Sequence, residues 1–272
     1  MGSGIAQVAA QNGFASILFD VDETVLENAK KSIQKNLQYL VDKNKISQEE
    51  KLEIFKRIKF TNEIKDCTAF VIIEAIVEIE KAKISLFTEL ANYNNEEVIF
   101  ATNTSSLSVS KMQEKIPFPQ RVIGMHFFNP AYIMRLVEVV KGTQTNDEVV
   151  RAVFEICQKM GKTPVLCEDS PGFIVNRVAR HYYLESLKIV EEGIASFEEV
   201  DEILEATGFK MGPFKLMDLI GMDINLAVTK TLYHSFNEAP RFAPSQLQLE
   251  KVEKKLLGKK TGSGFYNYTK NL

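Results

Sequence analysis

The chain has 272 residues, enough for two packed domains or one large one, and its 45% hydrophobic and 25% charged content is that of ordinary globular proteins. A net charge of −3 and a pI near 5.8 leave no global electrostatic footprint for nucleic acid, so an anionic ligand would need a local cluster of positive charge. No stretch approaches the roughly 20 apolar residues of a membrane span, the first residues lack the basic start and apolar core of a signal peptide, and three cysteines without CxxC spacing (Cys67, Cys157, Cys167) read as reduced thiols of a cytoplasmic protein with no metal site.

Small residues open the chain at Gly2-Ser3-Gly4; Ile5, Val8 and Ala9 then fall at helical spacing, and Gly13 closes a short helix. Residues 15–19 form a compact apolar run ending at Asp20, the pattern of a buried parallel strand. Asp22 is placed to cap a helix with Val25, Ala29, Ile33, Leu37 and Leu40 on one face, and Ser47 with Glu50 forms the capping box of a second. Lys and Arg are dense from Lys30 to Lys59, which on composition alone reads as a solvated face. Further strands are expected at 69–75, which contains Glu74, and at 98–101, 121–125 and 136–140, with helices at 78–90 and at 147–160, the last ended by Gly161. Strands alternating with helices predict an α/β fold with a doubly wound, Rossmann-like parallel sheet, in which ligands gather at the carboxyl ends of the strands. Asp20, Glu74, Asn103 and His126 all fall at such ends.

Beyond residue 165 the pattern becomes helical. Ser170-Pro171-Gly172 punctuates a helix start, Ser196 and Glu199 form another capping box, and Gly208, Gly212-Pro213 and Gly221 break the chain. The expected division is a Rossmann-like domain over 1–168 and an all-helical domain over 169–272.

A dinucleotide fold needs a glycine turn where a strand meets a helix, because pyrophosphate must approach backbone N–H groups closely. It also needs an acidic residue after the second strand for the ribose hydroxyls, and Asp20 fits that place. The first strand and the first two glycines of a GxGxxG are absent, so Gly2 is expected to be the third glycine of a loop that begins upstream of Met1.

Of three histidines, His181 and His234 lie in helical stretches, whereas His126 directly follows a strand. Glu138 interrupts Leu136, Val137, Val139 and Val140, and a carboxylate buried in such a strand is costly unless something pairs with it. Arg135 or a backbone group could serve; His126, twelve residues upstream on the neighbouring strand, is the more economical partner. Such a pair makes a competent base, the carboxylate fixing the tautomer and stabilising the imidazolium.

Asn103-Thr104-Ser105-Ser106-Leu107, His126-Phe127-Phe128-Asn129-Pro130, Leu136-Val137-Glu138-Val139-Val140 and the block 169–177 resemble those of the 3-hydroxyacyl-CoA dehydrogenases. The likeness continues through Met211-Gly212-Pro213-Phe214 to Lys260-Thr261-Gly262-Ser263-Gly264-Phe265-Tyr266, in order and over nearly the whole chain. The resemblance implies NAD as cofactor and an acyl-CoA as substrate. It implies that His126 is the catalytic base, Glu138 its orienting partner, and Ser105 and Asn176 polar contacts to the reacting substrate. On the cofactor side it implies Gly2 and Asp20, with Glu78, Lys83 and Asn103 near the nicotinamide half. It makes the basic hairpin a candidate for CoA phosphates, Lys43 in particular, and the second domain a helical homodimerisation domain. Nucleic acid and membrane are not expected partners. The stretch Ala131-Tyr132-Ile133-Met134-Arg135 departs from the family's usual second proline and lysine, and Tyr132 is expected to favour short acyl chains such as 3-hydroxybutyryl-CoA. Two alternatives stay open: a related dehydrogenase of free hydroxy acids, which would not need the basic hairpin, and a non-catalytic or NAD-impaired paralogue.

Overall fold

A computed structural model describes residues 1–268, which divide into two compact units between Ser170 and Pro171. The first unit alternates helices and strands in the order α1 (Gly2–Gln11), β1 (Ser16–Phe19), α2 (Glu23–Asp42), α3 (Gln48–Lys56), β2 (Ile58–Thr61), β3 (Val71–Glu74), α4 (Glu80–Ala91), β4 (Ile99–Thr102), α5 (Val109–Gln113), β5 (Val122–Phe127), β6 (Leu136–Lys141), α6 (Asp147–Lys159) and β7 (Thr163–Glu168). Local chemistry explains the boundaries. Asp22 accepts the Thr24 N–H at the start of α2, Ser47 and Glu50 close a capping box on α3, and Gly13 and Gly161 take the left-handed backbone that ends α1 and α6.

Parallel strands β1 and β2 form one sheet, and β3-β4-β5-β6-β7 form a second. Pairing is parallel throughout except between β5 and β6, which run antiparallel with His126 opposite Glu138. The doubly wound parallel sheet expected from the sequence is found, with the β5–β6 pair as its one antiparallel departure among the described strands. Its physical cause is the connection 128–135, which is shorter than the dozen or so residues a parallel crossover needs. Strands β2 and β7 are additional to those expected. Residues of α1 and α6, among them Ile5, Val8, Val153 and Cys157, pack against Met125 and Val137 of the larger sheet. On another face, Ala10 of α1 meets Ile33, Leu37 and Ile54 of the helical hairpin and Ile58 of β2.

The second unit contains α7 (Val175–Glu191), α8 (Phe197–Ala206), α9 (Pro213–Ile220), α10 (Met222–Ser235) and α11 (Gln246–Glu253). It is helical but for isolated bridges that join Ser263 to Gly258 and to Asn267. Asp218, fully buried, holds the last described segment: it accepts the N–H groups of Phe265 and Tyr266 at 2.9 Å each and the Tyr268 hydroxyl at 3.1 Å. A Cβ on Gly264 would fall 2.0 Å from Asp218 Oδ1, and one on Gly258, at φ +95°, would fall 2.2 Å from the Asp218 carbonyl oxygen. Both glycines are therefore required by close approach to Asp218, Gly264 to its carboxylate and Gly258 to its backbone.

Candidate active site

Strand pairing builds the centre of the site. Directly opposed residues of an antiparallel pair project from the same face, so the register that sets His126 across from Glu138 turns both side chains together. The His126 Nδ1–H donates to Glu138 Oε2 at 2.7 Å, and both residues are buried. In the neutral imidazole a proton held on Nδ1 by Glu138 makes Nε2 the basic nitrogen, the arrangement a general base needs. Phe128 stacks obliquely on the imidazole with ring centroids 4.6 Å apart.

The end of β4 meets this pair through Asn103, whose Oδ1 accepts the Phe127 N–H at 2.8 Å while its own N–H donates to the Glu74 carbonyl, also at 2.8 Å. Asn103 therefore ties the carboxyl ends of β3, β4 and β5 together. Next to it lies a carboxylate–ammonium chain. Lys83 Nζ, 1% exposed, sits 2.7 Å from Glu74 Oε1 and 3.1 Å from Glu78 Oε2. Glu74 Oε2 accepts the Thr102 hydroxyl at 2.7 Å. Glu78 Oε1 gathers the loop after β4, accepting the Thr104 hydroxyl at 2.6 Å and the Ser105 and Ser106 N–H groups at 2.9 and 3.2 Å.

Partial burial raises the Glu78 carboxyl, but the Thr104 hydroxyl, the Lys83 charge and the Ser105 N–H outweigh it, so its pKa lies below the usual 4.5. A depressed carboxyl pKa gives stability that is present above the unfolded value and disappears as pH falls through the folded one. Glu78→Gln is thus expected to lower the urea midpoint at pH 6, and the gap to wild type should close as pH drops below 4.5. A gap that stays constant down to pH 3 would mean the carboxylate charge does not hold this loop.

The nucleotide end is assembled around α1. A Cβ on Gly2 would lie 3.6 Å from Leu18 Cδ1 and 3.9 Å from Ala75 Cβ, so the start of α1 stands among residues of β1 and the segment just after β3. The first N–H groups of a helix have no partner within it and favour an anion. At Gly4 an added Cβ would come 3.3 Å from Ala131 Cβ, so glycine here lets the first turn of α1 pack closely against the segment between β5 and β6. Asp20, half-buried at the end of β1, accepts the Asp22 N–H on Oδ1, and its Oδ2 makes no hydrogen bond among the described residues. A helix start bearing glycines and a carboxylate after β1 are groups by which such folds hold the pyrophosphate and ribose of NAD, and the residues present fit that part of it.

Of the residues singled out in the sequence, the structure joins His126 to Glu138, with Asn103 bonded to the backbone of the adjacent Phe127, and brings Glu78, Lys83 and Ser105 into a second group. Gly2 and Asp20 lie at the α1–β1 end of the same unit. Lys43 is set apart: it is exposed, follows the last residue of α2, and lies roughly 30 Å along that helix from Asp22. Asn176 belongs to the second unit, as the second residue of α7. Two further participants were not singled out as site residues. Glu74 ends an apolar run, the signal that exposed Glu138. Asp169 accepts the Ser108 hydroxyl at 2.7 Å and the Ser110 N–H at 2.8 Å, and so fixes the start of α5 beyond the Ser105 loop.

Residues 1–170 match the NAD-binding domain of the 3-hydroxyacyl-CoA dehydrogenases, and residues 172–268 match the C-terminal domain of the same family. The 3-hydroxyadipyl-CoA dehydrogenase of Escherichia coli is 42% identical over 98% of this chain, which spans only 57% of that protein's length. A probable 3-hydroxybutyryl-CoA dehydrogenase of Deinococcus radiodurans is 40% identical over 98% of this chain and 96% of its own. The crystal structure of (S)-3-hydroxybutyryl-CoA dehydrogenase from Ralstonia eutropha superposes with a TM-score of 0.95 at 36% identity, covering 98% of this chain and 95% of that one. The chain therefore belongs to the 3-hydroxyacyl-CoA dehydrogenase family of NAD-dependent oxidoreductases.

Proposed function

We propose that the protein interconverts L-3-hydroxyacyl-CoA and 3-ketoacyl-CoA with NAD, on short acyl chains such as 3-hydroxybutyryl-CoA, within fatty acid or butanoate metabolism. The observation that carries this reading is the buried His126–Glu138 hydrogen bond at the end of β5, beside the Asn103 bridge. NAD, when bound, supplies the acceptor for the hydride leaving C3. The residues of this chain handle the proton: His126 Nε2 takes it from the 3-hydroxyl, and Glu138 stabilises the imidazolium so formed. In the reverse direction the same imidazolium protonates the ketone oxygen. Ser105, held by Glu78, is assigned to the substrate oxygen, and Asn176 to the substrate on the family match of its block alone. Gly2 and the start of α1 would hold the pyrophosphate and Asp20 the ribose hydroxyls. Asn103 and Glu78 would line the nicotinamide side, with Lys83 acting through Glu78. Lys43 is assigned to the CoA phosphates, an assignment supported by its exposed, cationic end of the α2–α3 hairpin.

The same proposal makes the protein a cytoplasmic homodimer joined through its second unit. Val178 of α7, Ile203 of α8 and Ile224 of α10 expose 67%, 64% and 51% of their surface there, apolar area whose burial would favour self-association. Burial pushes the thiols of Cys157 and Cys167 up to about 12, and Cys67 to about 11, consistent with inert thiols in a reducing compartment.

The test compares NADH consumption with acetoacetyl-CoA and with free acetoacetate. The CoA ester is expected to be turned over with a kcat/KM at least about a hundredfold higher, as two lost phosphate contacts would imply. Equal turnover of the free acid would make the protein a hydroxy-acid dehydrogenase. A second reading, prompted by the name of the Escherichia coli relative, is an acyl chain that ends in a carboxylate. Measuring 3-hydroxyadipyl-CoA beside 3-hydroxybutyryl-CoA separates the two.

A further inference from the structure

The connection between the two catalytic strands is held by a buried lysine that no step of the mechanism uses. Lys162 lies just before β7, in the turn where Gly161 ends α6, and is 8% exposed. Its Nζ donates to two backbone carbonyls of the connection 128–135, those of Ala131 and Met134, the latter at 2.8 Å. Neither carbonyl receives a backbone N–H among the described residues, because the connection forms a single turn in which the Ile133 and Met134 N–H groups both donate to Pro130. The ammonium thus supplies the donors that a longer helix or a strand partner would have given.

What this turn touches gives the lysine its consequence. It begins two residues after His126 and ends just before β6, which carries Glu138 in register. Ala131, 2% exposed, packs in the core with Ile5 and Val8 of α1, and its Cβ sits 3.3 Å from the position a Gly4 Cβ would take. One turn therefore borders both the His126–Glu138 pair and the helix start assigned to the cofactor pyrophosphate. Lys162 is itself anchored: its N–H donates to the Cys157 carbonyl at 2.9 Å, and the next residue, Thr163, donates to Arg135 O at 2.9 Å, which joins β7 to the far end of the same turn.

We propose that Lys162 is a positioning residue, whose ammonium fixes the 128–135 turn so that the catalytic strand pair and the glycine-bearing start of α1 keep their mutual placement. It touches neither substrate nor cofactor. The cofactor half of the proposal rests on the family's NAD-binding domain, and only its turnover readout rests on the proposed reaction.

Lys162→Met keeps the length of the side chain and removes its charge and donors. In the full chain it is expected to raise the NADH dissociation constant about tenfold or more, the equivalent of one lost charge-assisted hydrogen bond. It should also lower kcat with acetoacetyl-CoA at saturating NADH, and speed amide exchange at Ile133 and Met134. Lys162→Arg, which keeps a cation and several donors, should recover most of the NADH affinity. Wild-type NADH affinity and kcat in the Met variant, with only a lower melting temperature, would reduce Lys162 to a structural strut and overturn the proposal. Should Lys162→Met fail to fold, Lys162→Gln, a neutral donor able to reach one carbonyl, is read on the same quantities. If wild type does not turn over acetoacetyl-CoA, the proposed reaction fails, while NADH affinity and amide exchange still decide the role of Lys162.

Discussion

His126→Gln is expected to lower kcat for acetoacetyl-CoA reduction by roughly 10²–10⁴-fold, the range in which a positioned acid or base contributes. Glutamine can still donate a hydrogen bond from its amide toward Glu138, so the buried carboxylate keeps a partner and the β5–β6 register is expected to persist. What is lost is the imidazole that accepts and returns the proton. NADH affinity should change less than about threefold, because the groups assigned to the cofactor lie at the start of α1, just after β1, between β3 and α4, and just after β4, none of them on β5 or β6. Both quantities are accessible together: the chain has no Trp, so NADH fluorescence can be titrated without tryptophan emission, and single-turnover absorbance reads the chemical step. Retention of more than about a tenth of wild-type kcat would remove His126 as the base.

Lys83→Met is expected to destabilise the first unit by about 3–5 kcal/mol, the cost of breaking a buried ion pair from one side. Glu74 and Lys83 are 0% and 1% exposed at their side chains, so no water reaches the carboxylate once the ammonium is gone. The remaining partners of Glu74, the Ile76 N–H at 2.7 Å and the Thr102 hydroxyl at 2.7 Å, are neutral. They satisfy its lone pairs and leave its charge uncompensated in a low dielectric. Adding Glu74→Gln removes the stranded charge and should return a large part of the loss, a coupling that a double-mutant cycle reads directly. With two units in one chain, global unfolding is not a two-state process. The measurement is therefore amide exchange on β3 and β4 under increasing urea. A loss below about 1 kcal/mol would place this pair with surface ion pairs and contradict its structural role.

The contrast between Glu138 and β2 shows what the sequence made legible. Glu138 stood out because an acid inside an otherwise apolar strand demands a partner, and the partner offered by residue types was the one found. The same signal was present at Glu74, yet its partner Lys83 lies across a loop and a helix turn, where spacing gives no hint of contact. Ile58–Thr61 is only four residues long, follows directly on Arg57 and the end of α3, and is buried only at its two ends, so no alternation separates it from the helix. Strand β7 is hidden for another reason. It is the edge of its sheet, is largely exposed, and carries Pro164 near its start, so neither apolar run nor alternation marks it. The direction of β6 was legible in principle, since a connection as short as 128–135 excludes a parallel crossover, but alternation of elements weighed more heavily.

Lys162 marks the limit of such reading. Its role depends on two carbonyls 31 and 28 residues earlier in the chain, and backbone acceptors leave no trace in residue type. The basic hairpin is the opposite case: Lys30, Lys56 and Lys59 each sit beside an acid of their own surface, so composition exaggerated the free charge there. Lys43 has no such acid among the described ion pairs and lies over the Tyr39 ring at 5.7 Å.

In the proposed reaction hydride leaves C3 of a 3-hydroxyacyl-CoA for NAD while His126 accepts the hydroxyl proton. Incubating the protein with NAD and 3-hydroxybutyryl-CoA deuterated at C3, then weighing the NADH by mass spectrometry, tests it most directly. The expected product is NADH carrying a single deuterium, formed by wild type and formed far more slowly by His126→Gln. NADH without deuterium, or no NADH from wild type, would contradict this reaction.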